Sequence, residues 1–410
     1  RDGFVAVGGA TPSVLRDTSA MKYVLFATAL LACAPFAYPA SGLMGNTPPM
    51  PTVSPALGGD ELKLAEKALS RASQKDSLEE RVAALDVLVG LGDADGVMIL
   101  VKRYASASKR AADARKDLDE STLLLERRRV QLAELELAAE RKSSMKPAVS
   151  EMQTKIQDLE AKIKKTTVKL AVDEPWTAAL REGTNKLVAV QASGKRKGVV
   201  KELWKSIDKS DEASTRIACA EVLADIGMKD TAKRLAGIAI DALDERVKMM
   251  KALPALEADV HKWERKIQEE VDKMGGNTQG TVAAYQRLQG EAASLRLRTY
   301  RQKQLAADFL SAAATGLSNE PDAEQGKAIV ALLKLARKSP HRLRVVEVLV
   351  DSNVEEARAG LLAMLEQEAE PLQQVSILDG LSMAGDKRIV PWILSAGLSD
   401  ASWHVRSRSM

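Results

Sequence analysis

Few residues in this chain have side chains suited to chemistry. The three histidines, His261, His341 and His404, are at least 63 residues apart. An imidazole-based metal centre needs several ligands converging at defined spacing, and no second His or Cys lies near any of the three. There are two cysteines, Cys33 and Cys219. A reactive thiol requires an exposed, electropositive setting. Cys219 instead stands in the apolar run Ile217-Ala218-Cys219-Ala220, which predicts a core position. The patterns GxSxG, GxGxxG and HExxH and the Walker loop are all missing from the sequence. No residue is therefore assigned a catalytic, cofactor-binding or metal-ligating role, and the chain reads as a non-enzyme. Arg81, Arg216 and Arg406 recur at one position of a repeated unit, which predicts bonds to acidic or carbonyl groups of a neighbouring unit. Trp403 is expected to pack on the preceding unit, with His404 beside it in a structural role. His261 and Trp263 are expected in solvated or seam positions. Arg127-Arg128-Arg129 and the basic loop Gly194–Gly198 are short and lie near acids, so they read as solvated surface.

Composition narrows the classes further. The chain has 410 residues with 45% hydrophobic, 28% charged and 3% aromatic content. The scarcity of aromatics argues against a β-sandwich or barrel. A net charge of +4 from 60 basic and 56 acidic groups does not mark a nucleic-acid binder. Residues 1–20 read as upstream sequence translated in error or as a disordered extension. From Met21, one lysine precedes an apolar run from Tyr23 to Ala32 and then small residues, the layout of a secretory signal over 21–42. Leu30-Leu31-Ala32-Cys33 resembles a bacterial lipobox, which implies lipidation of Cys33 and membrane anchoring through that lipid. The alternative is that Cys33 is one more small apolar residue of the signal. Either way the protein is expected outside the cytoplasm: periplasmic, envelope-associated or secreted. A Pro-rich linker follows over 43–59.

The rest is helical and repetitive. Residues 81–100 and 216–235 align at an offset of 135, pairing Arg81 with Arg216, Leu88 with Leu223 and Gly92 with Gly227. Further copies start at Arg342, Gln374 and, cut off by the last residue, Asp400; the matching positions Arg342, Gln374 and Arg406 of these three are spaced by 32 residues. Small residues such as Ala83 and Ala218 let helices approach closely. Gly92 and Gly227 are suited to end a helix in the left-handed conformation. This pattern resembles HEAT repeats, and the resemblance implies a stack of helix pairs forming an α-solenoid. The layout resembles exported bacterial HEAT-repeat proteins with inserted coiled-coil hairpins.

Two long segments interrupt the array. Leu118, Leu125 and Leu132 are seven apart, and Met152, Ile156, Leu159, Ile163 and Leu170 continue a heptad after a turn at Ser143–Pro147. The second segment turns at Gly275–Gly280, close to the first turn advanced by 135, so helix pair and hairpin read as duplicated together. The expected class is all-α, a HEAT-like α-solenoid interrupted by two long antiparallel coiled-coil hairpins. The expected division is 60–105 helix pair, 106–172 hairpin, 173–243 helices, 244–317 second hairpin and 318–410 further repeats truncated at their end. The expected function is an exported scaffold that binds other proteins through solenoid faces and hairpin arms. The alternatives are a HEAT-like lyase or enzyme partner and a periplasmic coiled-coil adaptor.

Overall fold

A computed structural model describes residues 59–75, 77–272, 279–338, 340–368 and 370–410. The signal segment, Cys33, residues 43–58 of the linker and most of the glycine-rich turn near Gly275 lie outside the described residues. The fold is all-α, and no strand occurs among the described residues. Helices α1 (Gly59–Ala72) and α2 (Leu78–Gly90) precede two long helices, α3 (Ala94–Arg141) and α4 (Lys146–Ala189). The same series follows again as α5 (Ser193–Lys209), α6 (Ala213–Ile226), α7 (Thr231–Asp272) and α8 (Gln279–Asn319). Shorter helices complete the chain: α9 (Asp322–Lys338), α10 (Arg342–Asp351), α11 (Glu355–Gln367), α12 (Pro371–Met383), α13 (Ile389–Ser395) and α14 (Trp403–Ser409).

The repeated unit is visible in the backbone. Gly92, Gly227 and Gly385 adopt φ of +64°, +63° and +66°. Asn353, in the copy beginning at Arg342, adopts φ +57°. Each lies 11 residues after the first residue of its copy: Arg81, Arg216, Arg342 or Gln374. Left-handed backbone suits Gly and, among side-chain-bearing residues, Asn best, because a Cβ crowds the neighbouring carbonyl. Asn353 therefore supports the same helix end in a copy that has no glycine there.

The long helices pack in antiparallel pairs. Arg115 meets Glu174 at 2.8 Å and Arg129 meets Glu160 at 2.7 Å. Fourteen residues forward on α3 thus correspond to fourteen residues back on α4. The inward residues of α3 follow an unbroken alternation of three and four: Ala111, Ala114, Leu118, Ser121, Leu125, Arg128, Leu132 and Leu135. Those of α4 do the same through Met152, Ile156, Leu159, Ile163, Thr166 and Leu170. The second pair repeats this with Leu253, Leu256, Val260, Trp263 and Ile267 on α7 and Tyr285, Leu288, Ala292 and Leu295 on α8. A helix with such spacing keeps one stripe against its neighbour. Pro147 sits in the first turn of α4, where its missing N–H costs no hydrogen bond. Pro175 and Pro254 lie inside α4 and α7.

Near their outer connections the long helices join the shared core. α6 packs on both α3 and α8, and α2 packs on α4. Trp176 and Phe309 are the largest fully buried side chains there. Small residues set the spacing: a Cβ on Gly183 would stand 3.0 Å from Leu85.

The glycines at the repeated helix end differ in surroundings, which yields a test. A Cβ on Gly92 would meet nothing within 4 Å, whereas one on Gly227 would lie 1.8 Å from the Asn319 carbonyl oxygen. Gly92→Ala should cost about 1 kcal/mol from the left-handed backbone alone. Gly227→Ala should cost clearly more, because backbone must also move. Urea unfolding of the two variants reads the difference; equal losses would refute the close approach.

Candidate functional site

The recurrent polar position has one consistent geometry. Arg81 donates from Nε to the Lys75 carbonyl at 2.7 Å, and Arg216 donates from Nε to the Ile207 carbonyl at 2.7 Å. Gln374 donates to the Glu368 carbonyl at 2.7 Å, and Arg406 donates to the Asp400 carbonyl at 2.7 Å. The acceptors all lie at or just beyond the end of the preceding helix, where carbonyls have no intrahelical partner. Arg81 also meets Asp173 at 3.0 Å, and both side chains are buried. In the second series Arg216 lies over the Phe309 ring, 5.6 Å from its centroid. Asp308, which stands 135 residues after Asp173, instead accepts from Gln304 at 3.3 Å.

A second recurrent position was not singled out from the sequence. The fifth residue after the repeat polar residue is acidic in four copies: Asp86, Glu221, Glu347 and Asp379. Three of these have arginine neighbours. Glu221 lies 3.8 Å from Arg181, Glu347 accepts from Arg344 at 2.7 Å, and Asp379 lies 3.3 Å from Arg408. The densest cluster surrounds Glu221. Arg181 on α4 clasps Asp225 on α6 through Nε and a terminal nitrogen, each at 2.6 Å. Asn185 adds a third bond to Asp225 at 2.7 Å. Tyr104 on α3 donates to Glu221. Burial, reinforced by the Glu221 charge, holds the Tyr104 phenol above the ordinary tyrosine range, so it remains a donor. The spacing of Glu221 and Asp225, four apart on one helix, was the available sequence signal for this cluster.

Asp308 faces the same cluster from α8. Together with Arg181, Glu221, Ser311 and Thr315 it lines a cavity of about 80 Å³. Its carboxyl is held above the usual carboxylate range first by burial; the Gln304 bond opposes this and the Glu221 charge adds to it. Two larger clefts lie elsewhere. One of about 620 Å³ opens between α7 and α8 and includes His261, Tyr285 and the Glu257–Arg296 pair. The other, about 300 Å³, lies where α7, α8 and α10 meet. Its Arg246, Lys303 and Arg344 face Glu347 and Asp351, so cations and acids offset one another there.

The remaining sequence candidates separate clearly. Cys219 is fully buried on α6, and burial pushes its thiol up to about 12, so it stays protonated. His261 is exposed and bonds Glu264 at 3.2 Å, while Trp263 lies in the α7–α8 seam with Lys266 over its ring. His341 bonds Asp244 at 2.9 Å. Trp403 does not pack on the preceding repeat as expected. It is largely exposed and stacks on His404 with ring centroids 3.8 Å apart. The buried side of α14 is set by Val405 and Ser409, and Trp403, two residues before Val405, points away from it. The basic run Lys195–Lys197 is not a loop either, because it occupies the opening turns of α5. Of the basic triplet, Arg129 bonds Glu160 and Arg128 bonds Gln131. Among the described residues no group of three or more His, Cys, Asp or Glu side chains could hold a metal ion. No described helix is long and apolar enough to cross a membrane.

Comparison of the chain with protein-family models, with curated proteins and with solved structures finds no match.

The half-buried carboxyl of Asp308 gives a pH-dependent expectation. Its folded pKa is raised, so the folded state holds this proton at a pH where the unfolded chain has released it. The resulting penalty is absent at low pH and grows as pH rises through the folded value. Asp308→Asn, which cannot ionise, should match the wild type in denaturant midpoint under acid conditions and exceed it at neutral pH. An equal or lower midpoint at neutral pH would contradict this.

Proposed function

We propose that the chain is a HEAT-like α-solenoid carrying two antiparallel coiled-coil hairpins, and that it acts outside the cytoplasm as a non-enzymatic scaffold for other proteins. Support for the solenoid comes from four copies with the same left-handed helix end, three of which also bond the preceding helix end through Arg81, Arg216 or Gln374, as Arg406 does in the last copy. Support for the hairpins comes from the three-four alternation in both long pairs.

One observation carries the scaffold reading. Burial along α3 is dense from Gly96 to Ala114, then narrows to the two seam residues Ser121 and Leu125. The helix nevertheless continues to Arg141, about 40 Å further at 1.5 Å per residue. A segment of that length with little buried surface contributes little to its own core. It is suited to presenting side chains at a distance from the body. Export rests on the signal-like segment 21–42, and lipid anchoring on Cys33.

Two experiments test this. Residues Asp119–Leu170 can be replaced by a short Gly/Ser turn, since Leu118 and Ala171 stand at the same level in the antiparallel register. The shortened protein should remain folded and lose most of the proteins captured by the full chain from envelope extracts. Undiminished capture would remove the first hairpin from the proposal. For export, cells fed labelled palmitate should incorporate it into the wild type and not into Cys33→Ser if Cys33 is the anchor. Label in neither form would leave a cleaved signal, visible as a mature protein lacking residues 21–42. Label in both forms, or an uncleaved and unlabelled chain in the cytoplasm, would reject that part of the proposal.

A further inference from the structure

The first long pair carries an apolar stripe on the side that does not touch its partner helix. With the seam residues of α3 taken as heptad positions a and d, the position furthest from the seam is f. It is filled by Leu123, Val130 and Leu137, seven apart, which are 50%, 62% and 60% exposed. A two-helix pair standing in water has no need of apolar residues there. The duplicated pair provides the internal comparison. Advancing by 135 gives Ala258, Arg265 and Asp272, so the same face of α7 carries no such stripe. The stripe belongs to the first pair alone and does not follow from building such a pair.

The charges beside it are unbalanced. Asp119, Glu126, Glu134 and Glu140 flank the stripe, against Arg127 and Arg141. Among the described residues none of these four acids forms an ion pair. The outer face of α4 shows the opposite character. Ala161 and Val168 occupy its f positions, and Val168 is 64% exposed. Around them stand Lys162, Lys164, Lys165 and Lys169, all exposed and all without an ion pair among the described residues, against one acid, Asp158, a turn before Ala161. No acid interrupts the run from Ala161 to Val172. One hairpin thus has an acid-flanked apolar stripe on one outer side and a lysine-flanked apolar patch on the other.

These two faces cannot meet within one chain. Each f position points away from the seam, so the two outer faces look in opposite directions. We propose that the outer face of α3 in one molecule docks on the outer face of α4 in a second copy of this chain. Apolar side chains meet at the centre and carboxylates meet lysines at the rim, a complementarity that sets register and partner choice. The contact uses different surfaces on the two molecules, so it is heterologous and leaves one free face of each kind at the ends. Association therefore continues beyond the dimer. Its strength falls with added salt because the rim charges are exposed. This self-association holds whether or not the hairpins also bind a different protein.

The full chain tests this by sedimentation at rising concentration and low ionic strength. The wild-type weight-average mass should pass twice the monomer value and keep rising, and should fall again with salt. Val130→Glu places a carboxylate in the stripe between Glu126 and Glu134 and should hold the mass at the monomer. Arg265→Glu, at the equivalent position of the second pair, should leave wild-type behaviour unchanged. All these side chains are exposed, so helix content and thermal midpoint report whether folding is intact. The decisive arm is a charge swap. Glu126→Lys with Glu134→Lys gives one variant, and Lys164→Glu with Lys165→Glu gives another. Each alone should be monomeric, and a mixture of the two should associate again. A wild type that stays monomeric overturns the proposal, as does association through some other surface, seen as a mass that Val130→Glu leaves unchanged or a mixture that fails to reassociate.

Discussion

A helix that stops inside a packed protein leaves its last carbonyls without partners, and every repeat here depends on how that is solved. The answer has two parts. A residue in left-handed backbone, Gly92, Gly227, Asn353 or Gly385, lets the chain reverse immediately after the helix. At the alternate junctions a side chain from the helix that follows, Arg81, Arg216, Gln374 or Arg406, reaches back to a carbonyl at or just past the end of the helix before it. Between them these contacts fix where each helix ends and how the next one returns.

The two long series share one layout of helices and differ in the contacts made at matching positions. In the first, Arg81 is neutralised by Asp173 in a buried pair. In the second, the same arginine turns to an aromatic face, and the corresponding Asp308 looks into the cluster of Arg181, Glu221 and Asp225. That cluster ties α4 to α6, while Tyr104 ties α3 to α6, so the second repeat is bonded to the first hairpin by charge as well as by packing. A buried pair such as Arg81–Asp173 contributes little net stability compared with apolar packing, but it penalises any arrangement that separates the partners. The outer faces have diverged as well. They face solvent, where no packing constraint holds them, so apolar residues kept on one copy alone carry information about what that copy meets.

Much of this was legible in the residues because it depends on local spacing. The offset between Arg81 and Arg216, the glycines eleven residues later and the seven-residue spacing of Leu118, Leu125 and Leu132 are properties of a one-dimensional pattern. Each maps directly onto a helix face or a helix end. The readings that failed concerned direction. Lys195–Lys197 sits between two glycines and looks like a loop, yet α5 runs through it. Trp403 was expected to fill the preceding repeat, but Val405 and Ser409 form the buried side of α14 and Trp403 lies on the side facing solvent.

The sequence by itself determined that the chain is helical, that a unit recurs in it and that Gly92 and Gly227 end helices, because backbone conformation and apolar periodicity are set within a few residues. It also determined which side chains could form the seams of the long pairs. Only the tertiary structure decided which charges meet, because Arg181 reaches Asp225 across 44 residues and Tyr104 reaches Glu221 across 117. It likewise decided that the apolar positions opposite the α3 seam face away from the lysines of α4. A heptad letter says only that a residue is far from its own seam; which way that side looks depends on how the second helix is placed.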